Sequence, residues 1–183
     1  MAFKNKIIRN SKTGQDIRFI QTGKETNGLL LEMESTYNGK SLEPPPHYHP
    51  NQEEDFIVVD GELTVRINGK TKVLKRGDSL HIPKNKVHSM WNNSNSKTVV
   101  NWKVKPAMNT EYLLETGTGL ANDGRTNENG MPNILQAALL ANTFANVFRL
   151  SQPSFAVQKI LFFILTPFAY LFGFRPTYKK YLD

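Results

Sequence analysis

The chain contains no cysteine, so disulfides, thiolate metal sites and thiol catalysis are all excluded. Long apolar runs are also missing. The longest, Ile160 to Phe174, is about 15 residues and falls short of the roughly 17–25 that span a bilayer. Residues 1–15 carry lysines and asparagines but no apolar segment, so no signal peptide is expected and a cytoplasmic location is the natural reading. The formal net charge is +7, yet the basic residues form no dense run and are interleaved with acidic ones across the central half. With no basic and aromatic module to accompany them, nucleic-acid binding is not expected. No internal repeat, phosphate-cradling glycine loop or nucleophile with an adjacent base is visible.

What is present divides by composition into three regions. Residues 1–115 read as short strands separated by turn signals. Leu29, Leu31 and Met33 alternate with Glu32 and Glu34, and Leu63, Val65 and Ile67 alternate with Thr64, Arg66 and Asn68. This is the period-2 pattern of half-buried strands. Asn68-Gly69 then supplies a strong hairpin signal. Val87–Asn92, Thr98–Val104 and Glu111–Glu115 continue the series, which suggests a mainly β sandwich or jelly-roll barrel. Residues 116–132, rich in Gly, Asn and Thr, read as a linker without the spacing of a calcium loop.

Residues 133–183 read as a helical appendage. Ile134–Leu150 is rich in Ala and Leu and is expected to be one helix. Ser151-Gln152-Pro153 breaks the chain before a second, which is apolar nearly all round and interrupted at Pro167. Such a helix is expected to pack on the barrel or on a symmetry mate. Membrane attachment is the less favoured reading, because an interfacial helix should show a polar face.

All four histidines lie between positions 47 and 88. His47-Tyr48-His49 is followed by four residues and Glu54, then by six residues and Gly61. Residues i and i+2 of a strand point the same way, so His47 and His49 can face one cavity and a carboxylate from the next strand can join them. Gly77 is followed by five residues and Pro83, then by Asn85, His88 and Asn92, so a third imidazole can return from another strand. Three neutral nitrogens and one carboxylate suit a single divalent ion (Fe, Mn, Ni, Co or Zn) with positions left open. Glu53 and Asp55 are expected to be solvated, and His81 to be a surface or packing histidine.

These two stretches resemble the motifs of the cupin superfamily, G(X)5HXH(X)3–4E(X)6G and G(X)5PXG(X)2H(X)3N. Eight anchors fall at the required spacings: His47, His49, Glu54, Gly61, Gly77, Pro83, His88 and Asn92. Ser41 stands where the first motif begins with glycine, and Asn85 where the second has its internal glycine. Asn tolerates a left-handed backbone better than other non-glycine residues, so that turn can survive.

The resemblance implies a cupin-type double-stranded β-helix, to which the composition of residues 133–183 adds two to three C-terminal helices. It also implies metal-ligand roles for His47, His49, Glu54 and His88, and a homodimer. Alternation then makes Met33, Phe56, Met90 and Trp102 candidates for a substrate pocket. Three functional expectations follow: a metal-dependent oxygenase, isomerase or lyase acting on a small organic molecule; a non-catalytic small-molecule binding module; or a peripheral membrane or partner-docking protein working through its tail.

Overall fold

A computed structural model describes residues 1–182. In chain order the strands are β1 (Ile7–Arg9), β2 (Gln15–Gln21), β3 (Leu31–Tyr37), β4 (His47–Tyr48), β5 (Glu53–Asp60), β6 (Glu62–Ile67), β7 (Lys70–Lys75), β8 (Ser79–Ile82), β9 (His88–Trp91) and β10 (Thr98–Lys105). Helices α1 (Thr110–Asn122) and α2 (Ile134–Thr143) follow. The last elements are strand β11 (Arg149–Leu150) and helices α3 (Phe155–Leu171) and α4 (Lys179–Leu182).

The strands form two antiparallel sheets, ordered β1-β2-β3-β10-β5-β8 and β11-β4-β9-β6-β7. Strand β3 shows the expected alternation over all seven residues, with Leu31, Met33, Ser35 and Tyr37 buried. At the β6–β7 hairpin, Asn68 and Gly69 both take positive φ (46° and 81°), which matches the twist of a tight two-residue turn. The inner faces meet in one apolar cluster. Phe56, Val58 and Val100 come from the first sheet, and Leu63, Val65 and Met90 from the second. Burying each such side chain contributes about 1.5–3 kcal/mol, so the two sheets hold each other in place. A second cluster (Ile17, Phe19, Leu31, Met33, Val104) fills the β1–β3 end, and Trp102 touches both.

The structure departs from the sequence reading at four places. Leu29 lies outside β3 and is exposed. Residues 111–115, expected as a strand, form the first turns of α1, which runs into the expected linker as far as Asn122. Here tertiary contact overrides the weak propensity of a segment containing Gly117 and Gly119. Glu115 is buried against Lys6 Nζ at 2.7 Å, and Tyr181 lies so close to Gly119 that no side chain would fit there.

The expected helix over 134–150 stops at Thr143. Arg149 and Leu150 instead form β11, which pairs with Tyr48 and His47 of β4. An open strand edge offers unpaired backbone groups, and Arg149–Leu150 satisfies them. Finally, Pro167 lies inside α3 without ending it.

Candidate metal centre

The three motif histidines converge because of strand pairing. His47 on β4 and His88 on β9 are direct cross-strand partners, and His49 follows one residue after β4. Their ring centroids lie 4.5 Å apart for His47–His88, 5.2 Å for His47–His49 and 5.3 Å for His49–His88. Each ring offers a nitrogen within 4.8 Å of the others, a spacing that could hold one metal ion. The two motif segments are tied together at the backbone, where the amide of Asn85 donates to the carbonyl of His49 at 2.9 Å. Asn85 itself takes φ +63°, the left-handed turn expected of a residue in a glycine position.

The orientation of each imidazole is set by its other nitrogen. Nδ1 of His47 bonds the carbonyl of Pro45 at 3.0 Å, Nδ1 of His49 that of Val147 at 2.5 Å, and Nδ1 of His88 that of Lys86 at 2.9 Å. A carbonyl only accepts, so each Nδ1 must carry the proton. Nε2 is then left with a lone pair in each neutral ring, which is the form a metal requires. Burial and the two neighbouring imidazoles push His47 down to about 3, so it stays neutral at ordinary pH.

The group whose ligand atoms all lie within 4.8 Å of one another is the three histidines, and Glu54 on β5 lies beside two of these rings. Its side chain is buried, and the strand register places Val104 and Ile82 directly beside it. A carboxylate in such surroundings costs several kcal/mol unless it is compensated. Oε1 accepts a hydrogen bond from Trp102 Nε1 at 2.9 Å, while Oε2 lies 3.2 Å from His49 Nε2 and 3.0 Å from His88 Nε2. Burial opposes ionisation of Glu54, but with a proton on Nε2 of His49 and His88 those rings outweigh it and hold the carboxyl well below its usual range. Burial likewise works against charge on His49, and Glu54 more than compensates. His49 Nε2 and Glu54 Oε2 are both buried, and neither has a hydrogen bond of acceptable geometry. Two orphaned buried polar atoms facing each other fit a cation between them.

The neighbours of the motif behave as surface groups. His81 is exposed and bonds Asp55 Oδ1 through Nδ1 at 2.8 Å, and Lys105 reaches the other oxygen of Asp55 at 3.0 Å. Among the four candidate pocket residues, Met33, Phe56 and Met90 are buried in the two apolar clusters. Trp102 stacks on Phe56 with centroids 5.8 Å apart and orients the Glu54 carboxylate.

A part of the site invisible to sequence reasoning comes from the C-terminal segment. Phe148 stacks on His47 with centroids 4.7 Å apart and stands edge-on to His49 at 6.3 Å. With β11 paired to β4 and the Ser151 amide bonded to the carbonyl of Pro46 at 2.9 Å, residues 147–151 form a strap across the imidazoles. Phe148 also lines a cavity of about 160 Å³ between α2, α3 and β11. No spacing rule could have found these residues, because they lie in a stretch whose local pattern reads as helix.

A family model for the cupin domain matches residues 33–102, which include every one of the four motif side chains. Residues 33–102 are a cupin domain. Among curated proteins, the chain is 54% identical over 43 residues to the uncharacterized protein YdbB of Bacillus subtilis (strain 168), covering 23% of this chain and 38% of that one. It is 33% identical over 78 residues to the quercetin 2,3-dioxygenase of the same organism, covering 42% of this chain and 23% of that enzyme. Both matches span well under two thirds of the relative's length. Among solved structures, an RmlC-like cupin from Shewanella frigidimarina NCIMB 400 superposes with a TM-score of 0.49 at 21% identity, covering 61% of this chain and 94% of the other.

Proposed function

We propose that this protein is a metal-dependent enzyme, an oxygenase in its chemistry, acting on a small and largely apolar organic molecule. One observation carries the reading: three imidazoles converge, each with Nδ1 pinned to a backbone carbonyl, and two of them lie within 3.2 Å of a buried carboxylate oxygen that has no hydrogen bond. His47, His49, Glu54 and His88 would hold a divalent ion, which supplies Lewis-acid or redox chemistry at its remaining positions.

The protein's own groups have separate tasks. The Pro45, Val147 and Lys86 carbonyls keep the three rings in one tautomer, and Trp102 holds Glu54 in place. Val104, Ile82 and Phe148 surround the group with apolar surface, which excludes water and favours an apolar substrate. Because the strap of residues 147–151 covers the imidazoles, its displacement is the step that admits substrate. The dioxygenase name of the Bacillus subtilis relative agrees with oxygen chemistry.

The test begins with elemental mass spectrometry on untagged protein beside a His49→Ala control. It continues with oxygen-uptake assays on anaerobically iron-loaded protein against a panel of small aromatic and aliphatic compounds. Near-stoichiometric metal lost in the control, with uptake dependent on one compound class, supports the reading. Failure to retain any divalent metal after reconstitution would sink it.

The closed strap favours one second reading, a binding module that retains its ligand without turnover. Tight, metal-dependent ligand retention with no oxygen consumption would select that alternative.

A further inference from the structure

Helix α3 buries only one narrow stripe. Gln158, Phe162 and Ala169 are its buried residues, and with the half-buried Phe155, Leu165 and Thr166 they mark the side packed on α2. On the opposite side Val157, Leu161, Ile164, Phe168 and Leu171 recur at spacings of four and three, all exposed. Ile160, Phe163 and Phe172 widen this face, with Leu171 79% and Phe163 77% exposed. Lys159 is the one charged residue in the helix. A contiguous exposed apolar surface of this kind marks an interaction site.

Charge identifies the occupant. Between Glu128 and Asp183 the sequence has five cations (Arg149, Lys159, Arg175, Lys179 and Lys180) and no acidic residue. Lys159 lies towards one end of α3, while Arg175, Lys179 and Lys180 follow its other end, and all four are exposed. A two-fold contact between copies of α3 would bring two such segments together, and among the described residues only Lys180 of these cations has an acid paired to it, Asp123. A helix seam would also need only the exposed row from Val157 to Leu171, leaving Ile160, Phe163 and Phe172 in water. The length is that of an in-plane element: 17 residues make a helix of about 25 Å, and no helix among the described residues is long and apolar enough to cross a membrane.

We propose that the outer face of α3 is a docking surface for an anionic lipid bilayer. The helix lies in the plane of the interface, its exposed apolar residues enter the acyl boundary, and the cations that bracket it meet the headgroups. The polar face normally required of an interfacial helix is replaced here by the rest of the protein, since the upper side of α3 rests on α2.

The experiment is vesicle cosedimentation of the full chain, using phosphatidylcholine vesicles with and without phosphatidylglycerol, at low and high salt. The unaltered protein is expected to pellet with the anionic vesicles, more weakly with neutral ones, and less as salt rises. The exposed-residue variant F163Q/L171Q should lower partitioning on the order of a hundredfold at unchanged thermal midpoint. K159Q/K179Q should lower binding to anionic vesicles about tenfold or more and leave neutral vesicles unaffected. Protein that stays in the supernatant with anionic vesicles overturns the proposal, as does F163Q/L171Q binding as well as the unaltered chain. A dimer seen by sedimentation velocity that F163Q/L171Q converts to monomer would assign the face to a second copy and equally overturn it.

Discussion

Nδ1 of His49 donates to the backbone carbonyl of Val147 at 2.5 Å, although 98 residues of sequence separate the two. The C-terminal segment therefore helps to orient a ring that the first motif supplies. Partners of this kind set the tautomer and direction of a metal-binding imidazole, so under the proposed function the strap would bear on metal affinity as well as on access.

Phe148 gives the most direct test of the strap. Its ring stacks on His47 and adjoins His49, shielding both from water. Phe148→Ala is expected to weaken divalent-metal binding about tenfold, measured by competition with a chelating dye. Unchanged affinity would mean that the strap covers the site without shaping it.

The histidines should separate cleanly into two groups. His88→Ala is expected to weaken metal retention by about a hundredfold or more, and Glu54→Gln by about tenfold or more. His81→Ala should leave retention unchanged, because that ring is exposed and bonded to Asp55. Metal content after dialysis reads all three variants, and a loss in His81→Ala would contradict the assignment.

Trp102 has two roles that Trp102→Phe separates. The substitution keeps an aromatic ring beside Phe56 but removes the Nε1–H donor to Glu54 Oε1. Leaving a buried carboxylate oxygen without its partner is expected to cost about 1–3 kcal/mol in urea unfolding of the metal-free protein. A loss well under half of that would show that water replaces the indole.

Glu43 predicts a pH dependence. The Arg66 guanidinium, bonded to both carboxylate oxygens, together with the Ser89 hydroxyl holds its carboxyl below the usual range against partial burial. A depressed carboxylate stabilises the fold above its unfolded pKa and loses that contribution as pH falls through the folded value. Between about pH 5 and pH 3 the unaltered protein should therefore lose up to about 1 kcal/mol more than Glu43→Gln, the pair being reached by solvent. Parallel urea midpoints for the two proteins over that range would remove Glu43 from the account.

Much of the barrel and the centre of the site was legible in the chain. Strand alternation has a short period, and motif spacing acts over the few residues between His47 and Glu54, so both survive in one dimension. Asn68-Gly69 and Asn85 are local too, since tolerance of a positive φ is a property of the residue itself. Chain order also anticipated that His88 would return to the same cavity from another strand, and its pairing with His47 came from the fold.

The tertiary structure alone decided the rest. Residues 111–122 became helix in contact with Lys6 at Glu115 and Tyr181 at Gly119, partners more than 60 positions away. Arg149 and Leu150 became a strand because the edge of β4 was open to them, and this brought Phe148 onto His47. Local propensity is worth a few tenths of a kcal/mol per residue, whereas an unpaired strand edge or a buried ring is worth more, so distant contacts win wherever the local pattern is weak. The same balance governs α3. Its sequence announces an apolar helix, but only its packing on α2 shows which stripe is buried and which face is left exposed.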